Sequence, residues 1–156
     1  MPAALHRDFI ELSVENSLVR PGAVRVLDTP VDLTKITLDS YAVAGIADHI
    51  TPWQNAYRTT QLLGSAPRFA LSTSGHIAAM VNPPGNEKAS FRTHDGNPED
   101  AAAWLEAATQ HRGTCWNDWV KWLSQRSGEE RRPRRTLGSA AFKATDAAPG
   151  TYALNP

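Results

Sequence analysis

A single cysteine, Cys115, is all the thiol chemistry available to this chain of 156 residues, so no internal disulfide can form. A surplus of charge of either sign is missing too. Sixteen basic and sixteen acidic side chains cancel, and the overall field offers no general attraction for nucleic acid or for an anionic membrane. No apolar run approaches the roughly 20 residues needed to span a bilayer. The first residues carry neither the basic nor the apolar segment of a secretion signal. These absences together predict a cytoplasmic protein with no membrane span and no nucleic-acid partner. What is present is enough apolar material for one domain: 41% of the residues are hydrophobic and 21% charged.

Two elements hold most of the information. One is Tyr41-Ala-Val-Ala-Gly-Ile-Ala-Asp48-His49-Ile-Thr-Pro-Trp53, and the other is Arg68-Phe-Ala-Leu-Ser-Thr-Ser-Gly75-His76-Ile77. Each is a short apolar run that ends in small residues and then presents a titratable side chain, Asp48 in the first and His76 in the second. Thr51-Pro52 between them predicts a helix running to Leu63 and stopped by Gly64. Strand, helix and strand then form a parallel crossover, with both strands presenting their carboxyl ends on one rim. The separation of 28 residues between Asp48 and His76 fits one such crossover. The arrangement matches the last two members of a nucleophile, acid and histidine triad. A carboxylate that fixes the tautomer of an imidazole makes it a general base near neutral pH.

The rest of the chain is plainer. Residues 7 to 19 space their apolar positions as an amphipathic helix, ended by Arg20-Pro-Gly, and two short alternating pieces follow around a turn. Beyond His76, the groups Asn82-Pro-Pro-Gly-Asn and Asp95-Gly-Asn-Pro predict a long irregular stretch. Glu99 to Gln110 reads as a helix. In a further helix Trp116, Trp119, Trp122 and Leu123 recur at intervals of three and four, and such a stripe is expected to anchor the core. The Arg-rich segment from Arg126 to Arg135 is interrupted by Glu129 and Glu130 and lacks any RNA-binding motif, which predicts a solvated tail. Residues 1–125 are therefore expected to form a partial catalytic domain and 126–156 a tail, Arg-rich and then irregular.

The nucleophile is absent. No Gly-x-Ser/Cys-x-Gly elbow occurs. Gly113-Thr-Cys115-Trp-Asn117 comes nearest but has asparagine in place of the second glycine and follows the histidine, so Cys115 is expected to be a packing residue. Asp48 and His49 are neighbours that point apart, with no third ligand spaced nearby, and no metal site is expected. His94 and His111 are expected to face solvent.

The chain resembles the carboxyl-terminal part of poly(3-hydroxyalkanoate) synthases. The resemblance is carried by Leu5-His-Arg-Asp-Phe9, Asn16 through Gly22, Thr29-Pro-Val-Asp-Leu33, Ala44-Gly45, Asp48-His49-Ile-Thr-Pro-Trp53, Ser74-Gly75-His76-Ile77, Asn82-Pro-Pro-Gly-Asn86, Trp116 through Trp122, Arg126-Ser-Gly128 and Ala148-Pro-Gly-Thr-Tyr152. It implies the carboxyl-terminal portion of an α/β-hydrolase fold, with the last parallel strands, flanking helices and a helical and irregular tail. It also implies an acyltransferase that polymerises (R)-3-hydroxyacyl-CoA into polyester and releases CoA, with no cofactor beyond the CoA thioester substrate. A cysteine of the longer enzyme would carry the acyl chain, His76 would deprotonate it, and Asp48 would assist at the attacking 3-hydroxyl or orient His76. Asn16 would lie near the CoA entrance, and His49 would position substrate beside the site. The expected partners are the acyl-CoA, the growing polyester, and either an upstream half of the synthase or a second copy of this chain, at the surface of polyhydroxyalkanoate granules or free in the cytoplasm. Cys115 stands where that family has a tryptophan, and Ala153-Leu-Asn-Pro departs from its charged ending. The chain is thus expected to be a fragment, a truncated gene product or a separately encoded half, inactive alone. Two other readings are a non-catalytic granule-binding module and a small esterase or thioesterase using Cys115.

Overall fold

The structure is a computed structural model that describes residues 1–154. Asn155 and Pro156, the end of the expected tail, lie outside the described residues. Helix α1 (Ala3–Glu15) ends at Asn16, which takes the left-handed conformation at φ 48°. A two-residue ribbon follows, β1 (Arg25–Val26) against β2 (Thr29–Pro30). Next come β3 (Tyr41–Gly45), α2 (Trp53–Tyr57), α3 (Thr59–Leu62), β4 (Arg68–Ser72), β5 (Ser90–Thr93), α4 (Ala101–Ala107), β6 (Thr109–Arg112) and α5 (Trp116–Ser124). The chain divides into two compact units, Met1–Leu123 and Ser124 onward. The second unit is exposed from Ser124 to Pro149 and holds one isolated bridge, Gly138 with Lys143.

Four strands form a mixed sheet in the order β3-β4-β5-β6. β3 and β4 are parallel, with Tyr41 opposite Arg68 and Gly45 opposite Ser72. The apolar run of Tyr41 onward and that of Arg68 onward thus finish side by side, as the crossover pattern predicts. Alternation along the strands separates two clusters. Ala44, Phe69 and Leu71 pack with Trp53, Tyr57, Trp104 and Ala108 on one face. Ala70, Phe91 and Cys115, with Tyr41 and Val43 beside them, pack on the other. Trp104 is fully buried and meets Phe69 edge-on, with ring centroids 4.9 Å apart.

Several expectations need correction. The sheet is not all parallel, because β5 and β6 join it antiparallel. β5 hides inside the Pro- and Gly-rich stretch read as irregular, since four residues are too few to show a period against such flanks. The helix expected over Glu99 to Gln110 covers only Ala101–Ala107, with Asp100 accepting from the Ala102 and Ala103 amides. Thr109 to Arg112 are drawn into pairing with β5 instead, a tertiary gain that outweighs local helix propensity. The crossover helix is broken at Arg58 into α2 and α3. There the Thr60 hydroxyl donates to Tyr57 O at 2.8 Å, and Thr59 and Thr60 are both β-branched. The tryptophan stripe anchors the core only in part: Trp122 is half-buried and meets Tyr41 edge-on with ring centroids 5.6 Å apart, while Trp116 and Trp119 on α5 remain 38% and 41% exposed. Its buried neighbour is Cys115, and α5 is tied down by polar groups. Tyr41 OH donates to Asp118 Oδ2 at 2.7 Å, Arg68 Nε and Nη2 reach the two Asp118 oxygens at 2.7 Å each, and Trp116 Nε1 donates to Met80 O at 2.7 Å. His94 and His111 are half-buried, not solvated. The His111 ring stacks on Phe91 at 4.9 Å and its Nε2 bonds Thr93 Oγ1 at 2.9 Å.

Candidate active site

Beyond Gly45 and Ser72 the two parallel strands part into loops that remain joined. Ile46 N donates to Ser72 O at 2.9 Å and Ala47 N to Ser74 O at 3.1 Å. The first loop carries Asp48 and the second His76. Asp48 Oδ1 accepts from the backbone amides of Ile50 and Thr51, both at 2.9 Å. An aspartate that bonds amides two and three residues on makes a tight turn of its own, and here that turn aims the chain at Pro52 and α2. The other oxygen, Oδ2, is 2.8 Å from His76 Nδ1. The carboxylate is almost enclosed, with 5% of its side chain exposed, while the imidazole is 44% exposed. Among the described residues, His76 Nε2 has no hydrogen-bond partner.

The amide of Thr51 is the largest influence holding the Asp48 carboxyl below the usual carboxylate range. Burial opposes it, and the His76 imidazole and the Ile50 amide add to it. An ionised Asp48 accepts the Nδ1 proton of His76, which leaves Nε2 as the lone-pair nitrogen facing outward. That is the arrangement of a general base waiting for a proton donor.

The structure thus brings Asp48 and His76 together. His49 follows Asp48 but is exposed. Asn16 lies at the carboxyl end of α1, where its carbonyl accepts from Val19 N, and it has no hydrogen bond to Asp48 or His76. Cys115 is 2% exposed, and burial pushes its thiol up from the ordinary value, which disfavours the thiolate a nucleophile needs. Among the described residues no three His, Cys, Asp or Glu side chains gather as metal ligands. Sequence reasoning passed over Ile50, Thr51, Gly45 and Ser74, the backbone frame of the pair. The signal for the first two was the spacing Asp48-x-x-Thr51 before a proline. Ser74 gave none, since nothing in its type announces a φ of 88°.

Fold and site together define an α/β protein with an acid and histidine pair on the rim of its parallel strands. Comparison with known proteins sharpens that class. The chain is 47% identical over 152 residues to Poly(3-hydroxyalkanoate) polymerase 1 of Ectopseudomonas oleovorans, a match covering 97% of this chain and 27% of that protein. It is 45% identical over 154 residues to Poly(3-hydroxyalkanoate) polymerase 2 of the same organism, covering 99% and 28%. Against Poly(3-hydroxyalkanoate) polymerase subunit PhaC of Cupriavidus necator it is 41% identical over 139 residues, covering 89% and 24%. No family model matches the chain. The chain is homologous to the carboxyl-terminal quarter of the poly(3-hydroxyalkanoate) polymerases, and it spans about a quarter of the length of the curated relatives it matches.

Proposed function

We propose that this chain is the acid- and base-bearing part of a poly(3-hydroxyalkanoate) synthase of α/β-hydrolase type, and that it acts only when joined to a part bearing a nucleophilic cysteine. The observation that carries this reading is the Asp48 and His76 pair, in which His76 Nε2 has no hydrogen-bond partner among the described residues. In the joined enzyme His76 Nε2 takes the proton of the cysteine thiol as its sulfur attacks the carbonyl carbon of (R)-3-hydroxyacyl-CoA. The C–S bond to CoA breaks, CoA leaves with a proton, and the acyl group remains as a thioester. The 3-hydroxyl of one acyl unit then attacks the thioester carbonyl of another: the ester C–O bond forms, the C–S bond to the cysteine breaks, and His76 takes the hydroxyl proton and returns it to the departing thiolate. Both oxygens of Asp48 are already engaged, by two amides and by His76, and little of the carboxylate is exposed. This supports Asp48 as the group that orients His76 and stabilises its imidazolium over a direct role at the hydroxyl. His49, exposed and next to Asp48 in the chain, would contact substrate in this reading. No helix among the described residues is long and apolar enough to cross a membrane.

The test is to express the chain alone, and then joined to the cysteine-bearing part of a homologous polymerase, and to follow CoA release from (R)-3-hydroxybutyryl-CoA. The chain alone should release none. The joined enzyme should release CoA and lose that activity with His76→Ala but retain it with Cys115→Ala. Release that persists without His76 would sink the proposal, and binding to polyester granules by the chain alone, unaffected by His76→Ala, would favour a non-catalytic module.

A further inference from the structure

Taking Asp48 and His76 as an acid–base pair, we propose that Gly45 is a positioning residue for it: the absence of a side chain at the end of β3 lets the loop carrying His76 rest directly on the loop carrying Asp48. A Cβ built on Gly45 would lie 2.8 Å from Ala79 Cβ, 2.8 Å from Ser74 O and 3.2 Å from Gly75 O. None of these atoms can give way cheaply. Ser74 O already accepts from Ala47 N at 3.1 Å, and Ser74 holds a φ of 88° in order to turn that carbonyl toward β3. Ala79 is completely buried, fixed by its amide donating to Gly75 O at 2.9 Å. His76 sits between these two contacts in the chain, so any shift of residues 74 to 79 carries it along.

Asp48 would not follow. Its carboxylate is held on the β3 side by the Ile50 and Thr51 amides. A methyl group at position 45 therefore separates the two members of the pair and lengthens the 2.8 Å contact between Nδ1 and Oδ2. Gly75 shows a milder version of the same fit, since a Cβ there would lie 3.3 Å from Ala47 O. Gly75→Ala should disturb the pair less than Gly45→Ala.

The readout is the downfield proton resonance of a histidine Nδ1–H bonded to a carboxylate, recorded on the full chain and assigned by its loss in His76→Ala and Asp48→Asn. Gly45→Ala should abolish or displace this resonance while the cross-strand amide signals of β4, β5 and β6 persist. Adding Ala79→Gly removes one of the two closest clashes and should bring the resonance back at least in part. Trp104→Phe, a core change away from the rim, should lower stability and leave the resonance in place. A Gly45→Ala chain that keeps the resonance at its original position overturns the proposal. A Gly45→Ala chain that unfolds and is not restored by Ala79→Gly overturns it as well, since that is a role in folding alone. Absence of the resonance from the unaltered chain would remove the pair itself, and the functional reading with it. No polymerase activity is read here, so a joined enzyme that fails to release CoA would leave this result standing.

Discussion

At the scale of single residues, the chemistry turns on where each titratable group finds its partners. Asp48 has its folded pKa lowered by the Thr51 amide, His76 and the Ile50 amide. A lowered carboxylate pKa stabilises the fold fully above the unfolded value of about 3.9, and the contribution is lost as pH falls through the lower folded value. Stability of the unaltered chain should therefore drop more steeply below about pH 4 than that of Asp48→Asn, as measured by urea unfolding at a series of pH values. In a joined enzyme the same substitution should slow CoA release on the order of a hundredfold or more, because the imidazole loses its orienting acceptor. Cys115 shows the opposite case. Its thiol is buried and its pKa raised, so iodoacetamide at pH 8 should leave it unmodified in the folded chain and alkylate it once urea is added. Rapid labelling of the folded chain would contradict the buried position. The meeting of Asp48 with His76 and the packing position of Cys115 could both be read from residue type and order. The half-buried environment of His111 could not, because its partners Phe91 and Thr93 lie on a strand whose existence the sequence hid.

At the scale of elements, the parallel pair β3 and β4 was legible because each is a continuous apolar run bounded by turn residues. β6 was not, because Thr109 to Arg112 has no apolar period and takes strand form only through β5. The joint that fixes α5 to the sheet is equally invisible in one dimension. Asp118 is opposed by burial but is held ionised by Arg68 and by the Tyr41 hydroxyl, and the net effect is a lowered pKa. Tyr41 and Arg68 face each other as the first pair in the β3 and β4 register, so one carboxylate on α5 ties down the start of both strands. Asp118→Ala would leave the Arg68 guanidinium and the Tyr41 hydroxyl without their shared acceptor. It should destabilise the first unit by about 1–3 kcal/mol, read as a lower midpoint in urea. A midpoint unchanged from the original would show that water replaces the lost acceptor without cost.

At the scale of the whole molecule, the sheet is unfinished. Among the described residues β3 pairs only with β4, so a buried-type parallel strand stands at an edge. Over the face beside it lies an apolar pocket of about 240 Å³ lined by Tyr41, Val43, Met80, Cys115, Trp116 and Trp119. Exposed apolar surface of this kind favours association. The chain alone should therefore sediment as a concentration-dependent mixture of species, and Trp119→Gln should shift the mixture toward the monomer; a strictly monomeric chain at all concentrations would contradict this. That two short apolar runs meet in a parallel crossover and end in an acid and a histidine is already written in the order of residues, because strand patterning and loop chemistry are local. The antiparallel extension of the sheet, the exposure of Trp116 and Trp119 and the tight fit of the His76 loop over Gly45 emerge only in the folded molecule. Those depend on atoms far apart in the chain, and no local period records which distant surfaces will cover which.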